Sequence, residues 1–432
     1  MARNIDYSKG IYHAREQLGW PRTIVLGFQH MFAMFGATVL VPILTGLSIS
    51  VTLLCAGAGT LLFHLITKGK VPAFLGSSFA FLGGFAIVAP MIEQADGTKL
   101  PNAEMLPYAC GGVVIAGLIY LVLSGLITAF GIKRVMKLFP PVVTGPIIIL
   151  IGLILAPTAV SNVQSCWWLG VITMAIIVGC AVFGKGMIGI IPILLGVIGG
   201  YIIGAVTGQV SISFTGVFAV PNFTLAKFEG SAILTMAPIA LATMMEHIGD
   251  ISAIGATCNR NFIANPGLNR TLIGDGLATS LAGLVGGPAN TTYGENTGVL
   301  ALSKVYDPFV VRLAAIFAVV LSFFPFIENI IAAMPSAVIG GASFILYGMI
   351  SAIGVRNMVE NHVDLTKQRN LMIAAIILVS GLGINGMGGL QLGPVNLSGL
   401  ACAAIFGIVL NAALPGKDYE FSMEEMEESA AS

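Results

Sequence analysis

Two short, polar, glycine-rich stretches interrupt the long apolar runs of this chain: Gly76-Ser77-Ser78-Phe79-Ala80-Phe81 and Asn290-Thr291-Thr292-Tyr293-Gly294-Glu295-Asn296. In hydrocarbon every backbone N–H and C=O group needs an internal partner, so such a break persists at depth only where protein or a water-filled cavity lines it. One break in each half of a chain is the sequence feature that best marks the substrate site of a membrane transporter. The two stretches therefore predict a polytopic membrane fold and the place where a ligand binds.

The composition agrees with a membrane protein. The chain has 432 residues, of which 56% are hydrophobic and only 9% charged, whereas a soluble domain carries roughly 25% charged residues. The net charge of zero gives no sign of nucleic-acid binding. The 6 cysteines form no C-x-x-C pair, so no metal or redox cofactor is expected. The chain also lacks H-E-x-x-H and G-x-S-x-G, so an embedded hydrolase is disfavoured and no enzymatic activity is expected.

The apolar runs predict an all-α protein with fourteen passes, since a spanning helix needs about 20 apolar residues. The predicted passes are 21–43, 50–67, 74–91, 106–130, 141–157, 166–183, 187–207, 231–254, 269–286, 289–303, 309–325, 330–353, 369–384 and 397–414.

The distribution of basic residues gives the orientation. With the N-terminus in the cytoplasm, every Lys and Arg except Lys99 and Lys227 falls on the cytoplasmic side, as expected for membrane proteins. An even number of passes returns the acidic tail, 417–432, to the cytoplasm. The polar start and the long first apolar run do not fit a cleavable signal peptide.

A faint repeat relates the two halves of the chain. The stretch 139–146 (FPPVVTGP) resembles 334–341 (MPSAVIGG), and each opens a long apolar helix, in passes five and twelve. The broken passes, three and ten, are likewise seven apart. Because seven is odd, equivalent passes run in opposite directions, which is the signature of an inverted repeat.

The orientation predicts the geometry of the two breaks. If each broken pass turns helical near Phe79 and Gly294, both helix N-termini lie near mid-membrane. Each half-helix then has roughly 10–12 residues and spans about 15–18 Å, half a bilayer. The backbone N–H groups of Phe79 and Gly294 would point into one cavity, at the positive ends of two helix dipoles.

Ionisable residues within the apolar runs are the candidates for function, because they are costly in a membrane. Glu246 and Asp250 lie four residues apart in pass eight and share a helix face. His247 lies about 100° round from Glu246 and faces either the site or the helix packing. Glu295 opens the second half-helix, where the alternative role is to stabilise the helix dipole. The alternative for the pass-eight residues is a structural polar cluster.

Five further residues are weaker candidates. Gln29 and His30 are expected to hydrogen-bond across helices, and His64 to be structural. Asp275, at the start of pass nine, is expected to form an interfacial ion pair with Arg270. Tyr347, in pass twelve, is a candidate to line the cavity from the opposite side.

The predicted site combines two carboxylates with two backbone N–H donors. Carboxylates accept hydrogen bonds from N–H groups, whereas backbone amides donate to carbonyl oxygens. The matching ligand is a small planar molecule with adjacent N–H and C=O groups, such as a cyclic imide or urea. Glu246 and Glu295 together would repel a bare anion, and a metal ion would leave the N–H donors without a role.

Four motifs resemble the nucleobase–ascorbate transporter family, and most closely its bacterial uracil:proton symporters. They are 29–38 (QHMFAMFGAT), 75–81 (LGSSFAF), 246–249 (EHIG) and 290–296 (NTTYGEN). The resemblance covers about residues 20–415. It implies two inverted repeats of seven segments, with a core domain (1–135 and 229–326) and a gate domain (136–228 and 327–416). Homodimers are common in the family.

The resemblance also implies the roles of the site residues. Glu246 and Glu295 would bind the N–H groups of uracil, the amides of Phe79 and Gly294 its carbonyls, and Tyr293 and Tyr347 would flank the cavity. Purine-type relatives usually carry Gln at the position of Glu295, which favours a pyrimidine. Asp250 stands where a uracil symporter has His, and other members have Asp there.

The expected function is uracil import with protons across the cytoplasmic membrane. Asp250 is the leading candidate for proton coupling, with Glu246 and Glu295 as coupled partners and His247 as a further candidate. The alternatives are a xanthine or uric acid permease of the same family and, for another transport class, an anion exchanger of similar fold. The expected partners are uracil, protons, membrane lipid and a second copy of the chain.

Overall fold

The computed structural model describes residues 10–94, 99–210, 216–393 and 395–416. The predicted acidic tail and the first nine residues lie outside the described residues. Within these ranges the fold is mostly helical, as the composition predicts, and it contains three short two-stranded ribbons.

The α-helices vary from one turn to seven turns. In chain order they are α1 (Ala14–Leu18), α2 (Trp20–Thr45), α3 (Ile49–Ile66), α4 (Leu82–Val88), α5 (Leu106–Phe130), α6 (Ile132–Met136), α7 (Pro141–Gln164), α8 (Trp167–Phe183), α9 (Met187–Ile190), α10 (Pro192–Val206), α11 (Gly230–Met236), α12 (Ile239–Cys258), α13 (Leu268–Leu284), α14 (Gly294–Ser303), α15 (Pro308–Leu321), α16 (Pro325–Ala332), α17 (Ser336–Glu360), α18 (Gln368–Gly386) and α19 (Gly399–Ala413).

The strands are two or three residues long. They are β1 (Leu75–Ser77), β2 (Ile92–Glu93), β3 (Lys99–Leu100), β4 (Asn290–Thr292), β5 (Leu390–Leu392) and β6 (Val395–Leu397). β2 pairs with β3 and β5 with β6 as local hairpins, whereas β1 pairs with the distant β4, all antiparallel. A 3₁₀ turn (Phe79–Phe81) lies between β1 and α4, and a π-helical turn (Ile263–Gly267) precedes α13.

Seven apolar helical stretches in the described residues are long enough to cross a membrane: Trp20–Thr45, Ile49–Ile66, Leu106–Phe130, Pro141–Gln164, Gly230–Cys258, Ser336–Glu360 and Gln368–Gly386. The pair α15 and α16, bent by 85°, would make an eighth. The stretches Phe79–Val88, Trp167–Phe183, Pro192–Val206 and Gly399–Ala413 are apolar but shorter. The structure is therefore that of a multi-pass membrane protein, while the count of fourteen passes stays a prediction.

Glycine brings the most closely packed helices together. A Cβ atom at Gly152 of α7 would overlap the carbonyl oxygen of Tyr347 on α17, and one at Gly117 of α5 would overlap that of Gly276 on α13. Small residues permit this backbone approach, and dispersion between closely packed backbones stabilises helix association in lipid. α7 with α17, and α5 with α13, form the two most extensive helix contacts.

The helix contacts also come in equivalent pairs. α3 packs on α15 as α13 packs on α5, and α8 packs on α17 as α18 packs on α7. Likewise α8 contacts α10 as α18 contacts α19. If each helix is replaced by its equivalent seven predicted passes away, the first contact of each pair becomes the second. β1–β4, α7–α17 and α3–α13 are pairs that this exchange maps onto themselves.

Candidate functional site

The two polar stretches that interrupt the apolar runs meet in the interior. β1 and β4 pair antiparallel, with Leu75 opposite Thr292, Gly76 opposite Thr291 and Ser77 opposite Asn290. Two further backbone bonds extend the ribbon, from Ser78 N to Ala289 O (2.8 Å) and from Tyr293 N to Phe74 O (3.0 Å). The pairing satisfies backbone groups that would otherwise be exposed in an apolar interior.

Hydrogen bonds to three surrounding helices, α2, α3 and α13, hold the ribbon in place. Its main chain is bonded to hydroxyl groups, and its own side chains bond the neighbouring main chain. The bonds are Leu75 N to Thr60 Oγ1 (2.9 Å), Ser77 Oγ to Thr38 O (2.8 Å), Asn290 Nδ2 to Cys55 O (3.1 Å) and Thr279 Oγ1 to Asn290 O (2.9 Å). Both strands are fully buried.

A helix begins directly after each strand of the ribbon. The 3₁₀ turn starts at Phe79, one residue after the N-cap Ser78, and α14 starts at Gly294 after the N-cap Tyr293. Neither cap residue accepts a hydrogen bond with its side chain. The first N–H groups of a helix have no acceptor inside it. The amides of Phe79 and Gly294 are therefore free to donate to a ligand.

Tyr293 has a structural contact within the ribbon. Its hydroxyl donates to the Ser77 carbonyl oxygen (2.9 Å) and lies 3.1 Å from Ser77 Oγ. Its ring covers Gly76, where a Cβ atom would overlap it. Tyr293 therefore stabilises the pairing of β4 with β1, beside the helix starts at which a ligand is predicted to bind.

Three acids lie beside these helix starts. Glu246 and Asp250 on α12 and Glu295 on α14 are close enough to interact electrostatically, and all three are partly exposed. Asp250 is next to Gly294: a Cβ atom placed there would lie 3.9 Å from Asp250 Oδ1. Glu295 lies in the first turn of α14, where the positive end of the helix dipole favours an acid. One Glu246 oxygen, Oε2, is buried without a partner among the described residues.

His247 faces away from these acids, into the packing around α13. Its Nδ1 lies 2.9 Å from Asp275 Oδ2 and 3.0 Å from Thr292 Oγ1. Both His247 and Asp275 are completely buried. The predicted ion pair between Asp275 and Arg270 is therefore wrong: Arg270 donates to the Ile66 carbonyl oxygen instead (3.4 Å). The rotation of α13 turns Asp275 inward although Arg270 is close in sequence.

Sequence reasoning thus missed Asp275. The signal was present, because an acid inside an apolar pass faces a partner or a cavity by default. His247 lies on α12, the helix that also carries Glu246 and Asp250. Its ring contacts both Asp275 of α13 and Thr292 of β4, so it connects α12 to the ribbon.

Tyr347 approaches the site from α17. It is buried, and its ring centroid lies 5.8 Å from that of Phe79, in an edge-to-face arrangement typical of aromatic pairs. A narrow crevice continues from Phe79 between the first interrupted segment and the helices α7, α18 and α19. It is lined by Phe79, Ala80, Gly83, Ile151, Ile154, Leu155, Asn385, Ser398 and Leu400.

The two other candidate histidines are buried and bonded within the protein. His30 contacts Asn296 of α14, whose Nδ2 lies 3.1 Å from its Nδ1 and donates to its carbonyl oxygen (3.0 Å). The interhelical bond predicted for His30 is therefore confirmed. His64 Nε2 lies 2.8 Å from the Ala73 carbonyl oxygen, in agreement with a structural role. Among the described residues, no group of three or more His, Cys, Asp or Glu side chains is placed to hold a metal ion.

Known proteins resemble this chain in both sequence and fold. A sequence model described as a permease family, Xan_ur_permease, matches residues 21–387. The uracil permease of Bacillus subtilis (strain 168) is 42% identical over 414 residues, 91% of this chain and 92% of the relative. The putative pyrimidine permease RutG of Escherichia coli (strain K12) is 40% identical, over 96% of this chain and 94% of the relative.

Two solved transporters share the fold at low sequence identity. The overall structure of SLC26A9 gives a TM-score of 0.69 at 12% identity, covering 93% of this chain and 66% of that one. The transmembrane domain of the cyanobacterial bicarbonate transporter BicA gives 0.64 at 14% identity, covering 88% and 98%. These likenesses show the fold alone.

The fold is thus that of multi-pass membrane transporters. More narrowly, the sequence matches show that the chain belongs to the permease family that also contains the uracil permeases, which is the nucleobase–ascorbate transporter family of the motifs above. The chain is accordingly a transporter and not an enzyme.

Proposed function

We propose that this protein imports uracil together with protons across the cytoplasmic membrane. The names of its relatives support the substrate, since several that are about 40% identical over most of the chain are named uracil permease or probable uracil permease. The observation that carries the proposal is the pairing of Glu246 and Glu295 with the helix starts at Phe79 and Gly294.

The pairing of acceptors and donors matches the edge of a pyrimidine. Glu246 and Glu295 accept hydrogen bonds from the ring N–H groups, while the amides of Phe79 and Gly294 donate to the ring carbonyls. Phe79 and Tyr347 supply an aromatic wall against the planar ring. Tyr293 shapes the site indirectly, because its hydroxyl is hydrogen-bonded to Ser77 within the ribbon.

The proposed membrane arrangement has fourteen segments in two inverted repeats, with both termini in the cytoplasm. The equivalent pairs of helix contacts support this arrangement. They also support a core domain (1–135 and 229–326) and a gate domain (136–228 and 327–416), since α3, α5, α13 and α15 pack together, as do α7, α8, α17 and α18. Rocking of one domain against the other would expose the site to each side in turn. A homodimer is part of the proposal.

Proton coupling is assigned to Asp250, with Glu246 and Glu295 as interacting partners. Burial and nearby carboxylates both disfavour the charged form of a carboxylic acid. A group that is protonated when the site faces one side and deprotonated when it faces the other would couple uracil to the proton gradient. The contact of Asp250 with the start of α14 supports a link between its charge and the site. His247, whose Nδ1 lies 2.9 Å from Asp275 Oδ2, is the second candidate.

The proposal is tested by uracil binding to Glu246→Gln, with Glu360→Gln as the matched control. Glu360 is exposed, paired with Arg356 and the last residue of α17. The amide introduced in place of the Glu246 carboxylate would set a donor against a ligand N–H, and an unsatisfied buried pair costs about 1–3 kcal/mol, or more beside a charge. Binding measured by calorimetry is therefore expected to fall at least about tenfold in Glu246→Gln only. Equal binding by both variants would remove Glu246 from the site.

Competition separates the alternative substrates. A site that bonds particular N–H groups rejects analogues that lack them, so N-methylated uracils and xanthine should compete poorly for uptake into proteoliposomes. Xanthine blocking uptake as well as unlabelled uracil does would favour the xanthine permease. The group of three acids disfavours an anion exchanger, although the fold is shared with one bicarbonate transporter.

A further inference from the structure

A group of cations surrounds the end of α3 and the start of α15, away from the ribbon. Arg312, on α15, is partly buried, and its Nε has no hydrogen-bond partner among the described residues. Its guanidinium lies beside Gly69, where a Cβ atom would be 3.7 Å from Nη1. Lys68 and Lys70 flank Gly69 and are exposed, and Lys70 donates to the neutral Asn265 side chain (2.6 Å). No acid in the described ranges forms an ion pair with any of these three cations.

Aromatic rings complete this patch. Phe309 is flanked by two guanidinium groups, that of Arg312 at 5.6 Å from the ring centroid and that of Arg15 at 5.9 Å. Arg15 also lies 5.7 Å from the ring of Trp20, which packs edge-on against Phe309. These distances are within the range of cation–π contacts. They hold both guanidinium groups without neutralising them.

The patch borders an exposed apolar surface. Leu65, in the last turn of α3, is 76% exposed, and Trp20 is 51% exposed. Ile316 and Val320 continue the exposed apolar surface along α15. Tryptophan is enriched where a membrane meets water, and arginine and lysine there contact headgroups. The cations thus lie at one end of an apolar surface, at the level where lipid phosphates are found.

We propose that Arg312, Lys68 and Lys70, together with Arg15, bind the phosphate of an anionic phospholipid headgroup. A partly buried, unpaired guanidinium is costly, and a phosphate pairs with it through two parallel hydrogen bonds. Exposed Leu65 favours a lipid over free phosphate, because the acyl chain would cover it. The site is distinct from the uracil site and depends only on the membrane placement of α3 and α15.

The test is native mass spectrometry of the purified protein with phosphatidylglycerol, phosphatidylcholine or inorganic phosphate. We expect phosphatidylglycerol adducts to exceed phosphatidylcholine adducts, and to fall about fivefold in Arg312→Gln, as expected for the loss of one cation near an anionic surface. Arg312→Lys keeps the charge without the two-pronged geometry and should fall between the two. The control Arg356→Gln removes a cation that already pairs with Glu360, and should match the parent.

Two outcomes would overturn the proposal. Equal phosphatidylglycerol binding by the parent and Arg312→Gln would show that Arg312 does not hold the lipid, and inorganic phosphate competing away the adduct at equal concentration would indicate a soluble anion. If Arg312→Gln fails to fold, exposed Lys68→Gln replaces it, with loss of adduct expected and unchanged adduct contradicting the proposal. Uracil binding measured on the same samples should be unchanged, so this test fails or succeeds independently of the transport proposal.

Discussion

The two interrupted segments have the same backbone plan and different chemistry. Each is a three-residue strand followed by a helix start, and the two strands pair with each other. The first segment, 75–88, has no ionisable side chain and begins with a buried 3₁₀ turn at Phe79. The second, 290–303, begins an α-helix directly at Gly294 and carries Glu295 in its first turn.

This difference suggests that the two segments have different roles in ligand binding. Both segments offer a backbone N–H donor, which any sequence at a helix start provides. The second segment adds the carboxylate of Glu295 and lies beside Asp250 at Gly294, and its Thr292 contacts His247. The first segment would thus supply a donor and an aromatic wall, whereas the second would determine which ligand binds and which charge moves with it.

The largest effect is expected for Asp250→Asn, which removes the charge beside the second segment. The variant mimics the protonated acid, so it should retain uracil binding and exchange but lose accumulation driven by an inward proton gradient. Equilibrium exchange and gradient-driven uptake are measured in the same proteoliposomes. Accumulation equal to that of the parent would place the proton elsewhere, with Glu295 as the next candidate.

A large loss of stability is expected for Asp275→Ala, behind the second segment. Loss of a polar partner by a buried group costs about 1–3 kcal/mol, and Asp275→Ala removes one of the two polar neighbours of the buried His247 Nδ1. The thermal midpoint of the purified protein should fall clearly below that of Asp364→Asn, a control at an exposed acid. A midpoint equal to the control would show that the His247–Asp275 contact contributes little.

Glu295→Gln tests the chemistry that distinguishes the two segments. The amide replaces one acceptor with a donor facing a ligand N–H, at a cost of about 1–3 kcal/mol. Uracil affinity should fall about tenfold or more, and the thermal midpoint should stay near that of the parent. Calorimetry provides the affinity, and undiminished binding would leave the second segment without its proposed role.

The smallest effect is expected for Phe79→Leu in the first segment. The backbone N–H is kept, and only the ring contact with Tyr347 is lost, an aromatic pair worth about 0.5–1.5 kcal/mol. Uracil affinity should fall several-fold, less than in Glu295→Gln. A larger loss than in Glu295→Gln would reverse the proposed division between the segments.

The sequence located the helix starts but not their partners. Gly-rich polar residues within apolar runs placed them near Phe79 and Gly294, where the structure begins its short helices. The depth of these starts in a membrane stays a prediction. The pairing of β1 with β4 was not predictable, because three-residue strands give no periodic pattern and nothing local specifies a distant partner.

The sequence also did not predict which neighbours certain side chains contact. Asp275 was assigned to Arg270 from its neighbourhood in the sequence, yet the helix turns it onto His247. Tyr293 was expected to flank the cavity, and the structure shows its hydroxyl bonded to Ser77, a contact that depends on the β1–β4 ribbon. Helix periodicity gives the relative angles of residues within one helix, but not which neighbour each angle faces.

The β1–β4 ribbon has a consequence for synthesis. Tyr293 and its hydrogen-bond partner Ser77 are 216 residues apart in the chain. During translation β1 is therefore synthesised long before its partner strand β4. Contacts of such long sequence separation form late and slow folding. A nascent chain released before β4 emerges would contain one amide donor and no opposing acid from α14. Ligand recognition would therefore arise abruptly, once β4 and α14 emerge about two-thirds of the way along the chain, rather than growing helix by helix.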